Sequence, residues 1–203
     1  MVPAIGSLIS ESFYEGKLKS AERAGDDTLV RLLKRPVAWM TSSHLQDRFE
    51  QKTQFSFENQ TESKIIVRLL AQMNKALHES GNDRSVAILT GYGAQLQRLK
   101  RDIATVMDSW QHLNIEVNTV DAFQGREAEI AIYSVTRSND QGNIGFLRDL
   151  RRLNVALSRG RNILVIVGDH VFARSVAGEN PFKRVVSHIE SHPAECIILQ
   201  GAV

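Results

Sequence analysis

The sequence predicts an α/β fold in which helices cover both faces of a parallel sheet. Short apolar runs alternate along the chain with stretches whose apolar residues keep helical spacing. The runs 130–135 and 163–167 are apolar at almost every position, as is typical of strands that are buried on both faces. In sheets of this kind, ligands gather at the carboxyl ends of the strands.

The elements follow in order along one predicted domain, residues 1–203. The predicted strands are 37–40, 86–90, 115–120, 130–135, 163–167 and 196–199. The predicted helices are 65–77, 96–107, 148–159 and 181–188, with Gly81 and Gly160 just past two helix ends and Pro181 in a first turn. Residues 1–30 and 41–60 fit less well, so we expect a partly irregular lead-in there: a helical fragment, a polar loop around 25–27, and a polar excursion.

Composition excludes several classes of protein. Of 203 residues, 42% are hydrophobic and 24% are charged, and the net charge is only +2, which is ordinary for a soluble domain. The single cysteine, Cys196, excludes a disulfide framework and a cysteine-rich zinc site. The sequence shows neither a signal peptide nor an apolar run long enough to span a bilayer. We therefore expect a soluble cytoplasmic or nuclear protein with no membrane partner.

The chain lacks the common catalytic motifs. It has no G-x-x-x-x-G-K-[ST] phosphate loop, no G-x-G-x-x-G, no G-x-S-x-G and no H-E-x-x-H. His188, His192 and Cys196 are spaced four apart, but Pro193 should end their helix and place Cys196 on the next strand. Closed zinc sites want four ligands, so we expect no metal site.

A basic segment is the first candidate for a binding surface. On a helix over residues 148–159, Leu150, Leu153 and Leu157 form one stripe and Arg148, Arg152 and Arg159 another, on roughly the opposite side. Such a helix can present guanidinium groups to an anion. Taken alone, the same pattern also suits a solvated helix face.

A second candidate is the segment 119–127, which follows one predicted strand and precedes another. It places Asp121, Gln124, Arg126 and Glu127 around Gly125. One interpretation is a polar connecting loop. The other is that Gln124 and Glu127 are aimed at a ligand from the strand ends.

These segments resemble sequence motifs of one family. Residues 120–127 (VDAFQGRE) resemble motif V of superfamily 1 helicases, and residues 151–161 (RRLNVALSRGR) resemble motif VI of its up-frameshift and senataxin group, branch 1B. Residues 87–92 (AILTGY) resemble motif IV, residues 145–147 the approach to motif VI, residues 5–18 the stretch after motif IIIa, and Asn59-x-x-Glu62 a helix start of the group. The resemblance covers essentially the whole chain and implies a RecA-like domain, the second of a two-domain motor.

The resemblance also implies roles at a nucleotide site. Arg159 matches the arginine finger, and its planar, permanently charged fork suits a γ-phosphate that gains charge as it leaves. Glu127 matches the acid that binds the nucleotide ribose, and Gly125 would let the backbone approach that ligand. Gln124 would help to couple the nucleotide cleft to the bound strand. Arg152 is a weaker candidate, for a structural or phosphate contact.

The remaining matches imply a grip on single-stranded nucleic acid. Thr119 and Val120 of motif V, with Thr90 and Tyr92 of motif IV, map to the face that holds the strand in this family. There, backbone amides and hydroxyls would hold phosphates with little preference for base. Tyr92 has the alternative of being an ordinary turn aromatic.

The implied protein is an ATP-dependent DNA or RNA helicase or translocase. ATP and Mg²⁺ would be bound mainly by an N-terminal RecA-like domain that carries the Walker motifs and is missing from this chain, so the 203 residues alone should be inactive. The alternative is a non-catalytic nucleic-acid-binding or scaffold domain that keeps the helicase fold. A Walker loop upstream of Met1 would favour the motor.

Overall fold

Eight strands form two sheets in the computed structural model, which describes residues 1–19, 23, 25–178 and 180–203. The strands are β1 (Val37–Thr41), β2 (Gln51–Lys52), β3 (Phe57–Glu58), β4 (Arg84–Thr90), β5 (Leu113–Thr119), β6 (Ala128–Ser134), β7 (Gly160–Gly168) and β8 (Cys196–Gln200). Six of them form one sheet, in the order β5-β4-β6-β7-β1-β8, and every neighbouring pair is parallel. The prediction of a parallel α/β sheet is confirmed. The small antiparallel pair β2–β3 lies within the polar excursion 41–60.

Helices cover both faces of the large sheet. They are α1 (Pro3–Phe13), α2 (Asp27–Leu33), α3 (Gln60–Ser80), α4 (Gly93–Ala104), α5 (Leu150–Leu157), α6 (His170–Ser175) and α7 (Pro181–Ser191). As predicted, Pro181 lies in the first turn of α7, and Gly81 ends α3 with a left-handed φ of 67°. Among the described residues, no helix is both long and apolar enough to cross a membrane.

Strand residues alternate between two apolar clusters because successive side chains point to opposite faces. Trp39 packs with α1, α5, α6 and α7 on one face, whereas Ala38 packs with α2, α3 and α4 on the other. The buried Trp39 indole donates a hydrogen bond to the carbonyl of Gly168 at 2.8 Å. The runs 130–135 and 163–167 are fully buried, as expected for strands covered on both sides.

The lead-in is more regular than its sequence suggests. The helical fragment is α1, and the polar loop near residue 25 ends in α2, whose first backbone amides are capped by the buried Asp26. Part of that predicted loop, residues 20–22 and 24, lies outside the described residues. The short helix α6, capped by Asp169, has no counterpart in the predicted elements.

The arginine helix is shorter than predicted. Asp149 caps α5 by accepting hydrogen bonds from the amides of Arg151 and Arg152, so the helix begins at Leu150 rather than at 148. Leu153 and Leu157 are buried as expected, but Leu150 is 38% exposed in the first turn. Because α5 ends at Leu157, Arg159 lies beyond the helix and is not part of an arginine face.

Candidate nucleotide and nucleic-acid sites

The segment 120–127 runs along the sheet from the carboxyl ends of the parallel strands to their amino ends. These two ends of the sheet are called the carboxyl edge and the amino edge. The segment leaves β5 at Thr119, at the carboxyl edge, and enters β6 at Ala128, at the amino edge. Ala128 pairs with Gly160 at the start of β7, and its amide donates to the carbonyl of Arg159 at 3.0 Å. Glu127 therefore lies beside Arg159 and Arg161 at the amino ends of β6 and β7.

This position corrects one expectation. We expected ligand residues at the carboxyl ends of the strands, but Glu127 and Arg159 lie at the opposite edge. The reason is the chain path: residue 127 precedes a strand and residue 159 follows a helix that returns the chain to the start of β7. In a parallel sheet, both positions fall at the amino edge.

The Arg159 guanidinium is held entirely by neutral oxygen atoms. Its Nε donates to the carbonyl of Val155 at 2.8 Å, Nη1 to the carbonyl of Arg126 at 3.0 Å, and Nη2 to the hydroxyl of Ser158 at 2.8 Å. No carboxylate among the described residues forms an ion pair with it. The side chain is partly exposed, so an anion at this edge could replace the neutral acceptors.

The other predicted nucleotide residues differ in their surroundings. Glu127 is exposed and forms an ion pair with Arg161, with the Nη1 and Oε1 atoms 3.4 Å apart. Gly125 adopts a φ of 79°, which a side chain would strain, and a Cβ placed there would meet no atom within 4 Å. Gln124 is exposed in the same loop. Arg161, the partner of Glu127, is a basic residue of motif VI that sequence reasoning did not single out.

Arg152 lies away from this group. Its Nη2 is 3.1 Å from the Asp121 carboxylate, and it lines a small cavity of about 100 Å³ with Gly91 and Thr119. Arg152 lies in the first turn of α5, a helix of eight residues that is about 12 Å long, and Arg159 lies beyond its other end. Arg152 thus sits with the residues predicted to bind nucleic acid, not with Glu127 and Arg159.

Three of the four predicted nucleic-acid residues are buried. Thr90, Tyr92 and Val120 are at most 4% exposed, while Thr119 is partly exposed. The Thr90 hydroxyl is hydrogen-bonded to that of Thr136 at 3.1 Å, and the Tyr92 hydroxyl accepts from Arg137 at 3.3 Å. The hydroxyls of Thr90 and Tyr92 therefore form hydrogen bonds within the protein. For Tyr92, this agrees with the alternative that it is an ordinary aromatic residue of a turn. Of the four, only Thr119 has a partly exposed side chain, and its hydroxyl accepts a hydrogen bond from the amide of Ala122 at 3.3 Å.

A buried polar network explains where those side chains point. The fully buried Glu62 carboxylate accepts hydrogen bonds from the amide of Thr136 at 2.8 and 2.9 Å and from the Ser134 hydroxyl at 2.6 Å. Asn59 caps α3 through the amide of Glu62, and Gln95 donates to the Ser134 hydroxyl. Burial raises the pKa of Glu62 to about 8, although the hydrogen bonds from Ser134 and Thr136 lower it.

The network holds a strained point of the chain. Thr136 adopts a φ of 72°, which is unusual for a β-branched residue. The next residue, Arg137, forms a buried ion pair with Glu50 at 2.9 Å and lies 4.1 Å over the Phe57 ring. Sequence reasoning missed Glu50 and Arg137, since the two partners are 87 residues apart and no local spacing signals their contact.

Comparison with known proteins agrees with the motifs. The AAA_12 family model, described as AAA domain, matches residues 1–171. The chain is 30% identical over 199 residues to regulator of nonsense transcripts 1 of Caenorhabditis elegans, covering 94% of this chain and 18% of that protein. It is 33% identical over 208 residues to the Arabidopsis thaliana homologue, covering 98% of this chain and 16% of that protein.

Two further comparisons concern a third relative and a solved structure. Helicase SEN1 of Saccharomyces cerevisiae is 30% identical over 178 residues, covering 83% of this chain and 8% of that protein. The chain thus spans less than a fifth of each of these three relatives. The C-terminal domain of a possible DNA helicase from Lactobacillus plantarum WCFS1 shares the fold, with a TM-score of 0.54, 14% identity and coverage of 96% of this chain and 95% of that one. The chain therefore belongs to the superfamily 1 helicases of the up-frameshift type and corresponds to their C-terminal region.

Proposed function

We propose that this chain is the second RecA-like motor domain of an ATP-dependent DNA or RNA helicase or translocase. In this role it completes an ATP site with Arg159 and grips single-stranded nucleic acid at its other edge. One observation carries the proposal: Arg159 and Glu127, matched separately to motifs VI and V, lie side by side at the same edge of the sheet.

The bonds of Arg159 support its role as an arginine finger. Three neutral acceptors hold the guanidinium, and one of them, the carbonyl of Arg126, belongs to the loop that carries Glu127. A charged phosphate oxygen attracts a guanidinium more strongly than a neutral carbonyl or hydroxyl oxygen does. A γ-phosphate brought to this edge by a partner domain would therefore draw the guanidinium away from these acceptors, and it would do so most strongly as charge develops in the transition state.

The opposite edge supports the nucleic-acid role. Thr119, Gly91 and Arg152 surround one small cavity there, and Thr119 and Arg152 both reach the surface. The amides of Tyr92 and Val120 already donate to the hydroxyl and the carbonyl of Thr90, so Thr119 and Arg152 would make the main contacts with the strand. Helix α5 starts at Arg152's edge and ends next to Arg159, so a shift of this helix would couple ATP binding to the grip on the strand.

ATP and Mg²⁺ would be bound mainly by an N-terminal RecA-like domain with the Walker motifs, because the 203 residues contain no phosphate loop. The relatives include a helicase by name, helicase SEN1, which supports the assignment to a motor. Closure of the two domains around ATP would bring Arg159 to the γ-phosphate, and hydrolysis would reopen them.

The test is Arg159→Ala in a protein that joins this chain to its Walker-containing domain. We expect the strand-stimulated ATPase rate to fall by about 10³-fold or more, since an arginine finger contributes that much to kcat. Arg159→Lys should lose most of the activity too, because an ammonium cannot replace the planar fork. The matched control is Arg174→Ala, which removes a partly exposed arginine of α6 that pairs with Glu190.

A near-normal rate in Arg159→Ala would contradict the assignment and favour a binding or scaffold domain. The isolated 203-residue chain should not hydrolyse ATP, and metal-dependent turnover by the pure chain would contradict the proposed division of the site. Matched RNA and DNA oligonucleotides in the same assay identify the strand that stimulates the motor.

A further inference from the structure

Two histidines and one glutamate converge where α1 meets α7, on the face of the sheet that also carries α5. Glu11 belongs to α1, His188 to α7, and His192 caps the end of α7. One ligand atom of each residue lies within 4.8 Å of the other two. Cys196, which shares the four-residue spacing, lies on the next strand as expected, and the residue that joins the two histidines is Glu11, 177 residues from His188.

The hydrogen bonds of His192 orient one ring nitrogen toward Glu11. Its Nδ1 is 3.0 Å from the carbonyl oxygen of His188, which can only accept, and 3.0 Å from the Ser191 hydroxyl, whose own proton goes to the carbonyl of Ser187 at 2.8 Å. We therefore assign the ring proton to Nδ1. In a neutral ring, Nε2 then carries a lone pair, and it lies 3.7 Å from Oε1 of Glu11. Two electron-rich atoms thus face each other, and a cation between them would stabilise the arrangement. Metal-binding histidines commonly show this pattern, with one nitrogen bonded to a carbonyl and the other to the ion.

His188 contributes a second, buried nitrogen donor. Its side chain is 2% exposed, and its Nδ1 lies 2.8 Å from Oε2 of Glu11. Its Nε2 is buried and has no hydrogen-bond partner among the described residues, which is costly for a polar atom. Nδ1, the nitrogen beside Glu11, is the atom that would bind an ion, and Nε2, on the other side of the ring, would then carry the proton.

We propose that Glu11, His188 and His192 bind one divalent transition-metal ion of the zinc type, which links α1 to α7. Two imidazoles and one carboxylate form a ligand set that zinc accepts with a fourth position open to water. Mg²⁺ and Ca²⁺ prefer all-oxygen ligands, so this site should discriminate against them. Glu11 and His192 are 49% and 35% exposed, and Glu11 also lines an open groove of about 310 Å³ beside Glu195, which gives the ion a path from solvent.

Metal binding should change the geometry of the two rings. His188 and His192 are stacked, with centroids 4.0 Å apart and planes at 15°. Nearly parallel rings cannot both aim a lone pair at one ion, so one ring has to rotate on binding. This rotation gives a readout that is independent of any enzymatic activity, namely the ¹⁵N chemical shifts of the two histidine rings.

The experiment titrates the 203-residue chain with Zn²⁺ and with Co²⁺, using calorimetry for stoichiometry, the visible absorption of Co²⁺ for coordination and NMR for the rings. We expect one ion per chain, and we expect Glu11→Gln and His192→Gln each to weaken binding about tenfold or more, as loss of a contact in a metal site commonly does. Both positions are partly exposed, so these variants should stay folded, which circular dichroism checks. His44→Gln and Glu190→Gln are the matched controls, a surface histidine and an exposed carboxylate of α7, and should bind as the parent does.

Several results would overturn the proposal. These are Zn²⁺ affinity that is unchanged in both cluster variants, equal binding of Mg²⁺, or histidine shifts that do not respond to Zn²⁺. In any of these cases the three residues form only an interhelical hydrogen-bonded contact, with a proton in place of the ion. None of these measurements depends on ATP or nucleic acid, so the outcome is separate from that of the proposed motor function.

Discussion

The two edges of the sheet use similar polar residues in opposite ways. At the amino edge, Arg159 and Glu127 are partly or fully exposed, and their partners are neutral oxygens or another exposed charge. At the carboxyl edge, Glu62, Thr90 and Thr136 are buried and bonded to one another and to neighbouring strands. The first set can exchange its partners for a ligand at little cost, whereas the second set cannot.

The comparison shows that burial decides what a motif residue does. An exposed ion pair contributes at most about 1 kcal/mol, so replacing it by a ligand contact costs little. A buried donor that loses its acceptor costs about 1–3 kcal/mol, so the network at the carboxyl edge is fixed. Variants at the amino edge should therefore alter activity and spare stability, and variants of the network should do the reverse.

The largest expected effect on stability comes from Glu62→Ala. The change leaves the Thr136 amide and the Ser134 hydroxyl without their acceptor in a buried position. We expect the free energy of unfolding to fall by about 2–4 kcal/mol, from the orphaned donors and the cavity together. Urea unfolding followed by circular dichroism measures it. Glu79→Ala, at an exposed position of the same helix, should change it by less than about 0.5 kcal/mol; equal effects of the two variants would show that the network is not the stabilising feature.

The next effect, smaller within any one pH unit, is a pH dependence that originates from Glu62. Its pKa is about 8 in the folded chain against 4.5 for the free group, so the unfolded state loses the proton first as the pH rises. The free energy of unfolding should therefore decrease between pH 4.5 and about 8, by at most about 1.4 kcal/mol per pH unit, and level off outside this window. Glu62→Gln should remove this slope. Parallel stability curves for the parent and Glu62→Gln would disprove the raised pKa.

The smallest effect, and the sharpest contrast, comes from two threonines at the carboxyl edge. Thr90→Val removes the buried bond to Thr136 and should lower the free energy of unfolding by about 1–2 kcal/mol. Thr119→Val should lower it by less than about 0.5 kcal/mol, since Thr119 is partly exposed. In the longer motor protein, Thr119→Val should weaken single-strand binding by up to about tenfold, the equivalent of one hydrogen bond to a charged phosphate.

Binding assays on the two threonine variants complete that test. Fluorescence anisotropy with a labelled oligonucleotide measures the affinity, and urea unfolding measures the stability. If Thr119→Val binds normally while Thr90→Val loses affinity without losing stability, the division between exposed and buried residues at this edge is wrong.

Much of the fold could be predicted because its signals are local. The six strands of the large sheet show as apolar runs, and Gly81 and Pro181 mark a helix end and a helix start through their own backbone preferences. The boundaries of α5 were less accurate, since the cap at Asp149 competes with the continued helical spacing around it. Motifs V and VI identified Arg159 and Glu127 as partners, and the two do lie at one edge.

What the sequence alone determined is thus the fold class, the order of the elements and the family. Only the tertiary structure decided that Arg152 lies apart from Arg159, that the Thr90 and Tyr92 side chains are buried, and that Glu11 joins His188 and His192. The physical reason is the range of the interactions involved. Backbone preference and apolar periodicity are written within a few residues, but the burial and the partners of a polar side chain depend on segments that meet only when the chain is packed.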